Sequence, residues 1–255
     1  MVELVSRGLC LERLDVFILS GGLGTRIRPT LGEVPKLLAP VNGRPYLGHL
    51  LDWLKQFGAR RVLLGLGHGA SMVLEYLSKE PVPGLHVAAS IEPSPLGTAG
   101  AIRFARSKLH SDPGLVMNGD SFVDADLCAF VDRHRAAQAA GTLLCTEVDR
   151  ADRYGSITID LDGRIHSFAE KQPGSGAALV SAGLYLLTAP LLDKIAAGSS
   201  RSLESDIFQQ LPPGSLAAFY GRFAFLDIGT PESLSQAGEV LARYAGRYAR
   251  KGSQQ

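Results

Sequence analysis

The run Ser20-Gly21-Gly22-Leu23-Gly24-Thr25-Arg26 follows directly on the apolar segment VFILS at 16–20. A glycine-rich turn at a strand end lets backbone N–H groups approach a phosphate without interference from Cβ atoms, so this is a phosphate address. It is not the dinucleotide fingerprint, because the third glycine and the acidic residue ending the second strand are missing. Nor is it a Walker A loop, since no Gly-Lys-Ser/Thr follows. It carries instead Arg26 inside the loop and Lys36 ten residues later, in VPKLLAPV. Two cations over a glycine turn suit a triphosphate better than the pyrophosphate of a redox cofactor. Asp120 closes the apolar run VMNGD, and Asp227 stands at the end of another in FLDIGT. Two carboxylates on strand ends near a phosphate loop are what Mg²⁺ with a nucleotide requires, phosphates and water completing the octahedron. Taken singly, either aspartate could equally be a turn or cap residue.

The elements that would position these groups alternate. Strands are expected at 16–20, 61–67, 85–92 and 114–120, with helices at 45–58, 72–77 and 101–109 between them, the first starting at Pro45 and stopping at Gly58. That alternation predicts an α/β fold, a Rossmann-like mixed, mainly parallel sheet flanked by helices. After Leu127 the pattern changes. A helix over 131–140 is followed by TLLCTEVD, GSITIDL and RIHSFAEK, the last two joined by Asp162-Gly163, a hairpin signal, so this half is expected to be partly antiparallel. Further strands are read at 179–187, 216–221 and 222–229, and PGSGAA at 173–178 as a loop. A C-terminal helix opens with Thr230 as N-cap and Pro231 at its first position. The reading divides the chain into an N-terminal extension (1–14), one domain (15–242) and a basic tail (243–255).

Composition narrows the class. The 255 residues are 45% hydrophobic and hold 26 Lys plus Arg against 25 Asp plus Glu, a net charge of +1. One α/β domain of this size buries a sufficient core, and neutrality argues against a nucleic-acid partner. No apolar stretch is long enough to span a bilayer and no signal-peptide pattern opens the chain, so a cytoplasmic protein with no membrane partner is expected. Cys10, Cys128 and Cys145, odd in number and widely spaced, fit neither a disulfide framework nor a zinc site; Cys128 and Cys145 read as core. The six histidines show no zinc-helix spacing, and no Gly-x-Ser-x-Gly elbow occurs.

GGLGTRIRP, VPK, EPSPLGTAGA, NGD, AEK, AGLY and FLDIGTPE stand in an order and spacing that resembles the sugar-phosphate nucleotidylyltransferases, from about Asp15 to about Leu241. Within that family, PLGTAGAI, NGDSFVDADL, RYGSITIDLDGRI and SLESDIF look most like the D-glycero-D-manno-heptose 1-phosphate guanylyltransferases, and less closely like the mannose 1-phosphate enzymes. The resemblance implies attack of a sugar 1-phosphate oxygen on the α-phosphorus of a nucleoside triphosphate, with release of pyrophosphate. It implies Leu19, Ser20, Gly21, Gly22, Gly24, Thr25, Glu92, Gly97 and Thr98 on the nucleotide, with Glu92 reading the base. Arg26 would stabilise the triphosphate and Lys36 bridge the reacting phosphates. Asp120 and Asp227 would hold Mg²⁺, and Lys171 the sugar phosphate. Asn118, Gly155, Glu170, Gly183 and Glu204 would line the sugar in the partly antiparallel half. An ionised Glu92 can accept from both donors of guanine's Watson–Crick edge, which points to GTP, with ATP the alternative. Oligomeric state is left open.

The sequence departs from the family at Leu37, where proline is usual, and at Ser20, where alanine is usual. Ser181-Ala182 stands where the heptose enzymes commonly carry Asn-Gly, which bears on the sugar. Two rivals remain. Asp124 and Asp126 form an Asp-x-Asp that could hold the metal of a nucleotide-sugar glycosyltransferase, although capping of the next helix is favoured. The other rival is a regulatory subunit that binds nucleotide sugar without turnover; retention of every charged catalytic position speaks against it.

Overall fold

The computed structural model describes residues 9–22, 24–170, 174 and 176–245. In chain order they form β1 (Asp15–Ser20), α1 (Arg28–Leu31), β2 (Pro40–Val41), β3 (Arg44–Pro45), α2 (Tyr46–Gln56), β4 (Arg61–Leu66), α3 (Ala70–Lys79), β5 (His86–Ile91), α4 (Gly97–Ala105) and β6 (Gly114–Asn118). There follow β7 (Ser121–Val123), α5 (Leu127–Ala137), β8 (Gly141–Val148), β9 (Ser156–Ile159), β10 (Ile165–Ala169), β11 (Ala178–Leu187), α6 (Ala189–Ala197), β12 (Leu216–Gly221), β13 (Phe225–Asp227) and α7 (Pro231–Ala245).

β1 lies between β4 and β6, parallel to both, with β5 beyond β4. Its residues alternate between two cores. Val16 and Ile18 face Trp53, Leu50 and Phe130, and Phe17 and Leu19 face Ile102, Leu191 and Ile195. A strand covered on both faces must be apolar throughout, which is why DVFILS shows no alternation. On the other side of β6 the sheet turns antiparallel through β11 and β8, β12 lies parallel to β8, and β9 with β10 forms a hairpin. The expected mixed, mainly parallel α/β fold with a partly antiparallel second half is what the chain adopts. The hairpin turn runs from Asp160 to Arg164, with Gly163 at φ +70° and the Asp160 carboxylate accepting from Asp162 N–H and Arg164 N–H.

Most element boundaries shift by one or two residues, and three elements shift by more. α4 begins at Gly97 rather than 101, because Gly97 and Gly100 are where neighbouring atoms come too close for side chains, not where the helix stops. α5 begins at Leu127, capped by the Asp126 carboxylate, which accepts from Cys128 N–H at 2.9 Å and Ala129 N–H at 3.3 Å. The strand expected at 222–229 contracts to β13, paired antiparallel with β7.

The cysteine expectation is overturned. Cys10 and Cys128 form a disulfide, their Cα atoms 5.4 Å apart, while Cys145 is free and buried. A separation of 118 residues carries no signature in the sequence. The contact arises because the turn at 9–14 packs on the core: Leu11 and Leu14 are buried, and Leu11 N–H donates to Phe57 O. These residues of the N-terminal extension therefore belong to the folded body; residues 1–8 and 246–255 lie outside the described residues.

Candidate active site

The glycine turn leaves β1 beneath a cleft of about 420 Å³ whose lining includes Leu19, Ser20, Gly21, Gly22, Gly24, Lys36, Glu92, Gly97 and Thr98. Two glycines show why no side chain fits here. A Cβ on Gly21 would stand 2.8 Å from Glu92 Oε2, and one on Gly97, at φ +78°, would meet Arg201 O at 2.4 Å. Glu92 is 7% exposed. Its Oε2 accepts from Leu96 N–H at 3.2 Å, and Oε1 is buried with no partner among the described residues. Burial pushes the carboxyl above the usual range, partly offset by the Leu96 N–H. Thr98 Oγ1 accepts from Leu203 N–H at 2.8 Å, so this hydroxyl also pins the 201–203 loop onto α4. Of the residues expected on the nucleotide, Thr25, which is exposed, and Arg26 stand outside the lining.

A second cleft, of about 250 Å³, opens where the sheet changes neighbours. β11 pairs with β6 through Leu184–Leu187 and with β9 at Val180, and its register against β8 shifts between Ser181 and Leu184. The extra residues of this bulge, Ala182 and Gly183, let the two neighbours part. Gly183 has φ +77°, and a Cβ there would fall 2.7 Å from Asn118 Nδ2. Gly155 likewise leaves room for Ala169 O, 2.9 Å from where its Cβ would be. Asn118, Gly155, Gly183, Glu204 and Asp227 all line this cleft. Tyr185 Oη donates to Glu204 Oε1 at 3.1 Å and approaches Ser181 Oγ at 3.5 Å, orienting the carboxylate from below. Glu170 is exposed one residue past Ala169, which does line the cleft. Lys171 lies outside the described residues.

Arg26 sits elsewhere than expected. It lines the second cleft, not the first. The turn closed by Ile27 N–H and Arg28 N–H on Gly24 O buries Ile27 and sends the neighbouring Arg26 to the opposite side. The sequence reading also missed Arg153 and Tyr154 beside Gly155, although both stand in the RYG it had singled out.

Asn118 and Asp120 line both clefts, so the wall between them is where two substrates would meet. Lys36 Nζ donates to Asp120 Oδ2 at 2.9 Å across this wall. Asp227 is brought alongside by the β7–β13 pair, in which it faces Ser121, and by Ile228 N–H on Asp120 O. Gly229 N–H holds Asp227 Oδ1 at 2.7 Å, and Arg153 Nη2 lies 3.5 Å from Oδ2. Both carboxylates act on the buried Tyr46 phenol, whose pKa is raised chiefly by burial and further by Asp120 and Asp227. The Tyr46 hydroxyl has no partner among the described residues. By contrast, Asp126 is occupied with its helix cap, and neither it nor Asp124 lines either of these two clefts.

The model of the nucleotidyl transferase family matches residues 15–243. The chain belongs to that family. This nucleotidyltransferase is 32% identical over 219 residues to the D-glycero-alpha-D-manno-heptose 1-phosphate guanylyltransferase of Campylobacter jejuni, covering 86% of this chain and 96% of the relative. It is 31% identical over 235 residues to the mannose-1-phosphate guanylyltransferase of Mycobacterium tuberculosis, covering 91% of this chain and 66% of that longer protein. Among solved structures, HddC from Yersinia pseudotuberculosis complexed with GMP-PN is similar, with a TM-score of 0.79 and 31% identity over 89% of this chain and 99% of that one. The enzyme class and fold expected from the resemblance both hold. No helix among the described residues is long and apolar enough to cross a membrane.

Proposed function

We propose that this nucleotidyltransferase joins GTP to a heptose 1-phosphate, making a GDP-heptose and pyrophosphate. The observation that carries the reading is the shared wall: Asn118 and Asp120 face a nucleotide-sized cleft on one side and a smaller polar one on the other, with Lys36 across it. The sugar 1-phosphate oxygen attacks the α-phosphorus in line, the bond from that phosphorus to the bridging oxygen of the leaving pyrophosphate breaks, and no covalent enzyme intermediate forms. Catalysis is then positioning and charge stabilisation. Lys36 lines the larger cleft and reaches Asp120 on the shared wall, where its charge can meet both reacting phosphates.

Asp120 and Asp227 would hold Mg²⁺, which when bound supplies charge neutralisation to the phosphates. The donor set fits: two carboxylates side by side at paired strand ends, opposed by Lys36 and by a loosely placed Arg153, leave oxygens for a hard cation. The proposed base is guanine, because the buried, half-satisfied Glu92 carboxylate can take both donors of its Watson–Crick edge while adenine would set acceptor against acceptor. The names of the relatives and the GMP-PN in the HddC complex support the same base. Mannose 1-phosphate is the second reading, favoured by the mycobacterial relative, while Ser181 in the sugar cleft departs from the heptose pattern.

A matrix of nucleoside triphosphates against sugar 1-phosphates, with pyrophosphate release and product mass as readouts, tests this. GTP with heptose 1-phosphate should turn over fastest, and a better rate with ATP or with mannose 1-phosphate would displace the respective half. The proposed location is the cytoplasm, where triphosphates are available. The Cys10–Cys128 bond pulls the other way, since reducing compartments keep such thiols open. Thiol titration of the denatured, unreduced protein should find Cys145 alone reactive, and three reactive thiols would mean that the chain is kept where the Cys10–Cys128 pair stays reduced.

A further inference from the structure

The sugar cleft holds two cations among the described residues, Arg26 and Arg153, and Arg153 has so far no role. We infer that Arg153 grips the phosphate of the sugar 1-phosphate and so sets the affinity for that substrate. This rests on reading the smaller cleft as the sugar-phosphate site.

Three observations carry it. First, Arg153 is loosely held: Nη2 is 3.5 Å from Asp227 Oδ2, whereas a charge-assisted pair settles at about 2.7–2.9 Å, and the arginine side chain is 42% exposed. A guanidinium placed only to neutralise Asp227 would close on it. Second, the other arginine of the same loop is spent. Arg150 contacts Asp152 Oδ2 through Nε at 3.1 Å and Nη2 at 2.7 Å with its side chain 82% exposed, so Arg153 is the one left facing the cleft. Third, its neighbour is fixed: the Tyr154 ring lies 5.8 Å from the Arg153 guanidinium and packs edge-on against Phe225, which keeps the guanidinium at the cleft that both residues line. A sugar phosphate brings a charge of about −1.5 to −2 into a cleft already lined by Asp120, Asp227 and Glu204. Two carboxylates engaged by a metal would leave Arg153 without its weak partner, and a planar fork suits a phosphate better than a point charge.

The test uses the whole protein and whichever sugar 1-phosphate the wild type turns over in the substrate matrix. If none is accepted, the underlying reading falls before any variant is made. Given a substrate, Arg153→Ala should raise its KM about tenfold or more and leave the GTP KM within about twofold, with Arg153→Lys recovering part of the loss. Calorimetric titration of the same sugar 1-phosphate into enzyme with Mg²⁺ and a non-hydrolysable GTP analogue should show the same weakening. Unchanged sugar-phosphate affinity, with Mn²⁺ binding to the free enzyme made tighter, would overturn the proposal and leave Arg153 as a counter-charge to Asp227. An equal rise in both KM values would also overturn it.

Discussion

The two clefts are built differently. Apart from Arg201, the nucleotide cleft is lined by residues from the first half of the chain, Leu19 to Asp120, on the loops that follow β1, β4, β5 and β6. These are the carboxyl ends of neighbouring parallel strands, where an open α/β sheet offers a crevice by construction. The sugar cleft draws on residues from Arg26 to Asp227, and exists because β11 changes partners at a bulge. A cleft that follows from strand polarity admits backbone where glycines such as Gly21, Gly22, Gly24, Gly97 and Gly119 line it. One that follows from a break in the sheet has to be furnished by side chains, which is where substrate identity can change without disturbing the fold.

Breaking the wall between the clefts should have the largest effect. Asp120→Asn, and equally Asp227→Asn, should cost a factor of about a hundred or more in kcat, as loss of one preorganised electrostatic group does, with the fold intact by circular dichroism. Near-wild-type turnover in folded Asp120→Asn would remove the metal assignment and with it the claim that this wall is the reaction centre.

The next substitution touches the nucleotide side alone. Glu92→Gln replaces one of two acceptors by a donor and should cut the GTP-over-ATP preference about tenfold or more, while the sugar-phosphate KM stays within about twofold; competition between equal GTP and ATP with mass detection reads both. A smaller effect is expected on the sugar side. Tyr185→Phe removes the hydroxyl that orients Glu204, and should raise the sugar-phosphate KM about three- to tenfold, the worth of one hydrogen bond of ~0.5–1.5 kcal/mol, without moving the GTP KM. If each variant moved both KM values together, the two clefts would not be separable in function.

The smallest effect is on stability and depends on pH. Burial raises the Glu92 pKa in the folded protein, so between its unfolded and folded values the native state holds more protons than the unfolded state, and stability is lost as pH rises through that window. Glu92→Gln abolishes this loss. The variant should melt a few degrees above wild type near pH 7, and that advantage should disappear near pH 3, where the Glu92 carboxyl is protonated in both states. A melting difference that is the same at both pH values would mean that Glu92 is not held at an electrostatic cost.

What could be read from the sequence was what near neighbours control. The glycine turn after β1, the Asp126 and Thr230 caps and the turn around Gly163 are encoded within a few residues of chain, because backbone conformation and orphan N–H groups are settled locally. The alternation of strands and helices followed from apolar periodicity, and the strand ends then placed Glu92, Asp120 and Asp227 at the adjoining clefts. Only the tertiary structure decided that Arg26 faces the sugar cleft, that Arg153 enters it, and that Cys10 meets Cys128. Each of these depends on which distant segments pack together, on a turn that reverses one side chain, a bulge that shifts one register and an N-terminal turn docked beside α5. Such long-range choices are made by the summed burial of two cores rather than by any short run of residues.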